Sequence, residues 1–214
     1  MPDSRAWRWL DRELVQRALA EPPPEQGGRC ERCAAVSVLL SQGAQGVELL
    51  LIRRSVRTSD PWSGHMALPG GHWEAHDASL LETAIRETRE EIGLDLSRDA
   101  ELLGTLDDVT PASPARILVR PFVFALDSVP ALSSSPEVDQ IVWADLAELA
   151  SGSSVTEHEL LRAGQRLRFP GFRVGDHVVW GLTYRVLTGL LERAAGITAF
   201  SLEKTATEEP SPAR

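Results

Sequence analysis

No run of apolar residues in this 214-residue chain approaches the length of a membrane helix, which takes about 20 consecutive apolar positions. The first ten residues include Arg5, Trp7, Arg8 and Trp9 and lack the apolar centre of a secretory leader. Positive charge is also scarce. Lys and Arg number 22 against 31 Asp and Glu, a formal charge of −9. Proteins that coat nucleic acid neutralise phosphates with clustered cations, so this balance argues against a nucleic-acid partner. It leaves room for a small phosphorylated ligand, provided a metal cation stands between carboxylates and phosphates. Two cysteines are too few for a disulfide scaffold. The expectation is therefore a soluble protein of a reducing, cytoplasmic setting, with no membrane partner. Internal repeats are lacking, and strand-like and helix-like segments do not alternate regularly, which favours an α+β mixed sheet over a doubly wound fold.

What is present suits one well-filled domain: 43% of residues are hydrophobic and 25% charged. Residues 3–20 carry Trp9, Leu10, Leu14 and Ala18 at helical spacing, and the Pro- and Gly-rich stretch 21–28 reads as a linker. The division expected is an N-terminal helix and linker over 1–29, a catalytic-type domain over 30–200 and a polar tail over 201–214. Within the domain, 34–40 and 47–53 read as a hairpin and 54–71 as a loop. Residues 77–92 form a helix closed by Gly93. Strands are expected near 101–106, 117–125 and 140–143, and a short helix over 145–149. A hairpin over 164–179 and a final amphipathic helix over 179–194 complete the order.

The chemistry concentrates after Pro69-Gly70-Gly71. At ~100° per residue, Glu91 lies ~40° and Glu90 ~60° from Glu87, so three carboxylates share one helix face. Leu81, Ile85, Thr88 and Ile92 form a separate stripe for the core. Like charges four residues apart destabilise a helix by a few tenths of a kcal/mol, and a cation reverses that sign. Hard oxygen ligands beside a Gly-Gly turn suit Mg2+ or Mn2+, which can clamp a polyphosphate and activate water for attack on phosphorus. The alternative is a solvated face balanced by Arg86 and Arg89.

The stretch Arg86-Glu87-Thr88-Arg89-Glu90-Glu91-Ile92-Gly93-Leu94 resembles the second half of the Nudix hydrolase box, G-x5-E-x7-R-E-U-x-E-E-x-G-U, with Thr88 at the bulky aliphatic position U. Counted from Gly71, Arg86 falls one place late, and Asp77 takes the acidic position. A box one residue longer, opened by Pro-Gly-Gly, resembles the coenzyme A pyrophosphatase subgroup. That likeness extends through Leu106-Asp107-Asp108-Val109, Pro136-Glu137-Val138 and Val179-Trp180-Gly181-Leu182-Thr183. Upstream, the subgroup motif L-L-T-x-R-[SA]-x3-R-x3-G-x3-F-P-G-G is matched at its start by Leu50 to Ser55 and at its end by Gly64 to Gly71. The spacing between these halves is one residue longer, Asp60 stands where the second Arg falls, and Leu68 replaces Phe.

The resemblance implies a mixed β-sheet sandwiched between helices and hydrolysis of a nucleoside diphosphate linked to another group. By position, Glu87 and Glu91 are metal ligands, Glu90 joins them or positions water, Gly71 adds its carbonyl, and Arg86 orients the glutamates. The general base is open between Glu87, Glu90 and a loop carboxylate, for which Glu137 and Asp108 stand as candidates. Arg53, Arg54 and Arg57 are candidate phosphate clamps, with a solvated strand end as the alternative. His65, His72 and His76 cluster around the Gly-rich turn, where one could contact phosphate or serve as acid, with His72 taken as the substrate contact and plain exposure as the alternative. Trp62 and Trp73 flank that turn as stacking or packing groups, while Trp143 and Trp180 are expected in the core. The Cys30–Cys33 spacing lacks the second pair that zinc needs, so chance spacing is the expectation. Coenzyme A or an acyl derivative leads as substrate, followed by ADP-ribose, dinucleotides and nucleotide sugars. A nucleotide-sensing domain without catalysis is the alternative, and isomerase chemistry would want a cysteine near the site. The N-terminal helix and linker also offer a surface for a homodimer.

Overall fold

A computed structural model describes residues 15–16, 19–20, 32–57, 62–110, 117–162 and 164–195. The expected linker over 21–28, the tail, Cys30 and most of the N-terminal helix lie outside the described residues. The elements run β1 (Cys33–Gln42), β2 (Val47–Arg54), β3 (Met66–Ala67), β4 (Gly70–His72), α1 (Leu80–Ile92), α2 (Leu96–Asp99) and β5 (Glu101–Thr105). They continue with β6 (Leu118–Leu126), β7 (Val138–Asp145), α3 (Leu146–Ser151), β8 (Val155–Arg162), β9 (Gln165–Val174), β10 (His177–Trp180) and α4 (Gly181–Ala195).

β1 organises the main sheet. Its run Ala34-Ala35-Val36-Ser37-Val38-Leu39-Leu40 is buried on both faces, the pattern of a strand covered from two sides. β6 pairs with it in parallel from Cys33–Leu118 to Ser41–Leu126, and β5 extends the sheet antiparallel to β6. On the other side, β2 pairs with the C-terminal end of β1 and β4 with its N-terminal end. β3 and β7 in turn flank β2.

Alternation along β1 divides the core. Ala35 and Leu39 pack with Leu50, Ile52, Phe122 and Phe124 beneath Ala84 and Ile92 of α1. Ala34, Val36, Val38 and Leu40 face the opposite way, toward Leu146 and Leu149 of α3 and toward Val186, Leu187, Leu190 and Leu191 of α4. The mixed sheet is thus sandwiched between helices, as the resemblance implies. The described residues contain no helix long and apolar enough to cross a membrane.

The structure departs from the sequence reading in three places. Residues 54–71 are not wholly loop, because β3 and β4 lie within them. The hairpin over 164–179 belongs to a three-stranded sheet, whose third strand is β8. β8 reads Val-Thr-Glu-His-Glu-Leu-Leu-Arg and shows no apolar alternation. Its ladder with β9 is reinforced by Arg168 reaching Glu159 at 3.2 Å and Glu157 at 3.7 Å. Cys33 is disulfide-bonded, against the expectation of a chance spacing.

Candidate active site

α1 is bounded by local chemistry. Ser79 caps its start, accepting from the Glu82 N–H at 3.1 Å, while the Glu82 carboxylate accepts from the Ala78 N–H at 2.8 Å. Gly93 ends it at φ 71°, its N–H donating to the Arg89 carbonyl. The buried face comprises Thr83, Ala84, Thr88, Glu91 and Ile92. It is rotated toward the carboxylates relative to the expected stripe, leaving Leu81 and Ile85 only partly buried. A carboxylate thus occupies a position that an apolar reading of the wheel leaves to solvent.

The Gly-Gly turn makes that burial tolerable. Gly70 sits at φ 147° with its Cα against β1, where any Cβ would collide with the Ala35 carbonyl oxygen. That close approach aims the Gly70 N–H at Glu91 Oε2, 2.9 Å away. A Cβ on Gly71 would collide with the Glu87 carboxylate. The fold therefore brings Glu87, Glu91 and the Gly70–Gly71 turn together.

Arg86 holds the other side of the cluster. Its Nε and Nη2 grip Asp77 at 2.8 and 2.9 Å, and its Nη1 reaches Glu87 at 3.0 Å and Glu90 at 3.1 Å. Nη2 also donates to the His72 carbonyl at 3.0 Å. Burial would push Asp77 upward, but the Arg86 guanidinium, the Glu74 N–H and the Thr83 hydroxyl outweigh it and hold the carboxyl at about 2. For Glu91 burial prevails. Reinforced by the charges of Glu87 and Glu137, and opposed by the Gly70 N–H and the Arg54 charge, it drives the carboxyl up to about 8. Glu87 is raised too, chiefly by burial against the counter-pull of Arg86.

The remaining candidates are placed as follows. Glu90 is 55% exposed and leans on Arg86. The His72 side chain is exposed, and it is the residue's backbone that serves the site. Arg53 pairs with Asp139 at 2.8 Å and Arg57 with Glu137 at 2.9 Å. Of the loop carboxylates, Asp108 is held bidentately by Arg120 at 2.8 and 2.7 Å, whereas Glu137 acts on Glu91. His65 and Trp62 join Trp180, His158 and Phe169 in a cluster of rings, with His158 stacked on Trp180 at 4.3 Å. Trp180 is buried as expected, and Trp143 is partly buried against the α1-side core. The Trp73 indole donates to the Asp77 carbonyl at 3.0 Å. Sequence reasoning gave Asp77 no role as an anchor for Arg86. The available signal was an acid just ahead of the Ser79–Glu82 cap, nine residues before an arginine.

Among the described residues, no three His, Cys, Asp or Glu side chains converge as a ready-made metal site. The donor chemistry nevertheless fits a hard divalent cation. Glu87 and Glu91 offer carboxylate oxygens whose ionised forms are disfavoured by burial and by neighbouring carboxylates, Glu90 and Glu74 beside Glu87 and Glu87 and Glu137 beside Glu91, and a cation relieves both penalties.

The NUDIX domain family matches residues 31–163, more than half of the chain. This chain belongs to the Nudix family. It is a hydrolase of the pyrophosphatase type, and its Nudix helix is α1. An uncharacterized Nudix hydrolase, NudL, of Photorhabdus laumondii is 32% identical over 173 residues, covering 80% of this chain and 90% of that one. Human mitochondrial coenzyme A diphosphatase NUDT8 is 32% identical over 181 residues, covering 79% and 76%. An uncharacterized protein of Schizosaccharomyces pombe is 44% identical over 107 residues, covering 47% of this chain; the match spans about a third of that protein, 32% of its length.

Proposed function

We propose that this Nudix chain is a divalent-metal-dependent pyrophosphohydrolase that splits the phosphoanhydride of a nucleoside diphosphate joined to another group, with coenzyme A or an acyl-coenzyme A as first substrate. The reading is carried by Glu87 and Glu91 meeting at the Gly70–Gly71 turn, where burial holds both carboxyls above their ordinary value. The similarity to a protein named coenzyme A diphosphatase supports the substrate half.

Mg2+ or Mn2+, when bound, supplies charge neutralisation of the diphosphate and a more acidic water. Glu87, Glu91 and Glu90 would hold it, with the Gly71 carbonyl. Arg86 keeps Glu87 and Glu90 in place through Asp77. Water adds to one phosphorus, the bridging P–O bond breaks, and two phosphate monoesters leave. The proton lost by the water passes to a carboxylate, for which Glu137 joins Glu87 and Glu90 as a candidate. Arg53, Arg54 and Arg57 lie at the end of β2 and just beyond, where they would meet the phosphates. The pairing of Arg57 with Glu137 joins a phosphate clamp to a base candidate.

The test is hydrolysis with Mg2+ or Mn2+ across coenzyme A, ADP-ribose, NADH, a diadenosine polyphosphate and nucleoside triphosphates. Cleavage of coenzyme A to a phosphopantetheine product is expected. Preference for another compound keeps the chemistry and replaces the substrate. Tight nucleotide binding without turnover of any of them overturns the enzyme reading in favour of a sensing domain.

A further inference from the structure

Ser37 ties together the two parts of the site that must keep a fixed separation. It lies at the centre of β1 and, like Thr88, is 0% exposed. Its N–H donates to the Pro69 carbonyl at 2.7 Å, which secures the turn bearing Gly70 and Gly71. Its hydroxyl donates to the Ala84 carbonyl of α1 at 3.3 Å and accepts from the Thr88 hydroxyl at 2.8 Å. Strand, turn and helix therefore converge on one small residue, the turn through its backbone N–H and the helix through its hydroxyl.

Packing alone does not account for this pair. Thr88 fills a position where the family box carries a bulky aliphatic residue, and Ser37 interrupts the apolar run from Ala34 to Leu40. Two apolar side chains of the same shape would bury without the desolvation cost of two hydroxyls. Hydrophobic contact is non-directional, and so leaves a helix some freedom to slide or roll on its sheet. A hydrogen bond is directional and narrow in distance. The roll of α1 decides whether Glu91 Oε2 meets the Gly70 N–H and whether Glu87 lies over Gly71.

We propose that Ser37 and Thr88 are positioning residues that set the register of α1 against the Pro69–Gly71 turn, and thereby the placement of Glu87 and Glu91 for the cation. Neither side chain touches the reacting atoms. The assignment rests on the metal-dependent reading above.

The test compares wild type with S37A/T88V, which removes both hydroxyls together, and with T88S, which keeps the donor. The double variant is expected to melt within about 2 °C of wild type or higher. It should nevertheless bind Mn2+ about tenfold more weakly in a titration followed by electron paramagnetic resonance, and lose about tenfold in kcat with KM little changed. T88S should restore both within about twofold. Wild-type Mn2+ affinity in a folded S37A/T88V overturns the proposal. If that variant does not fold, T88V and T88S are compared instead, and equal Mn2+ affinity in the two overturns it equally. Failure of the hydrolase reading looks different: wild type turns over no substrate, while the Mn2+ titration still separates the variants.

Discussion

Asp77 and Glu91 are each 5% exposed and lie on either side of Glu87; burial pushes both carboxyls up, yet they end on opposite sides of the ordinary range. Asp77 meets Arg86 along both oxygens, together with a backbone N–H and a hydroxyl, and stays ionised down to about 2. For Glu91, burial and two like-charged neighbours, Glu87 and Glu137, outweigh one backbone donor and the Arg54 charge, and it holds its proton up to about 8. The Arg86 guanidinium turns Nε and Nη2 to Asp77 and Nη1 to Glu87 and Glu90. At the Glu91 end burial prevails and the carboxyl stays raised, the balance that the proposed cation would reverse.

The comparison can be broken most forcefully at Glu91. Glu91→Gln should lower kcat by on the order of 10³-fold while leaving the metal-free protein as stable as before or more so. Steady-state kinetics beside a thermal melt check this, and a variant that keeps a tenth of its activity would remove Glu91 from the site. Gly71→Ala comes next. The added methyl meets the Glu87 carboxylate rather than backbone, so activity should fall about 10²-fold with little loss of stability.

Titration sharpens the contrast. Glu91 keeps its proton in the folded chain between its ordinary value of 4.5 and about 8, a range in which the unfolded chain has released it. The folded state therefore binds more protons there, and metal-free stability should fall by a few kcal/mol as pH rises from 5 to 8. Denaturant melts in EDTA should show that slope, and E91Q or added Mn2+ should flatten it. Asp77 has the opposite sign. Its folded value of about 2 lies below the ordinary 3.8, so its contribution is present above pH 4 and vanishes as pH falls through 2. Asp77→Asn should cost about 2 kcal/mol at pH 7 and nothing near pH 2, as measured by urea unfolding at both values.

Much of this was legible in the residues. The three glutamates declare a shared face through spacing alone, and Gly93 and the apolar strands announce their elements, whereas the helix starts at Leu80 behind the Ser79 cap and not at the expected residue 77. What remained hidden depends on approach rather than pattern. Gly70 against Ala35 is visible only once β4 is laid beside β1, and two- or three-residue strands leave no periodicity to read. The burial of Glu91 follows from that approach, so the wheel alone put the core stripe too far from the carboxylates. Thr88 reads as a departure from a motif until Ser37 is found opposite it. β8 stayed hidden because its stabilising pairs are charges on another strand.

The parallel pairing of β1 with β6 also has a consequence in time. Cys33 is matched to Leu118 and Ser41 to Leu126, so the sheet beneath α1 cannot be completed until residues 118–126 have emerged, after the whole of α1. Contacts of such long sequence separation slow folding. A nascent chain that ends before β6 carries all three helix glutamates and both turn glycines, but lacks the floor that holds them together. Assembly of the site therefore waits for β6, although every residue of its motif is made before that strand.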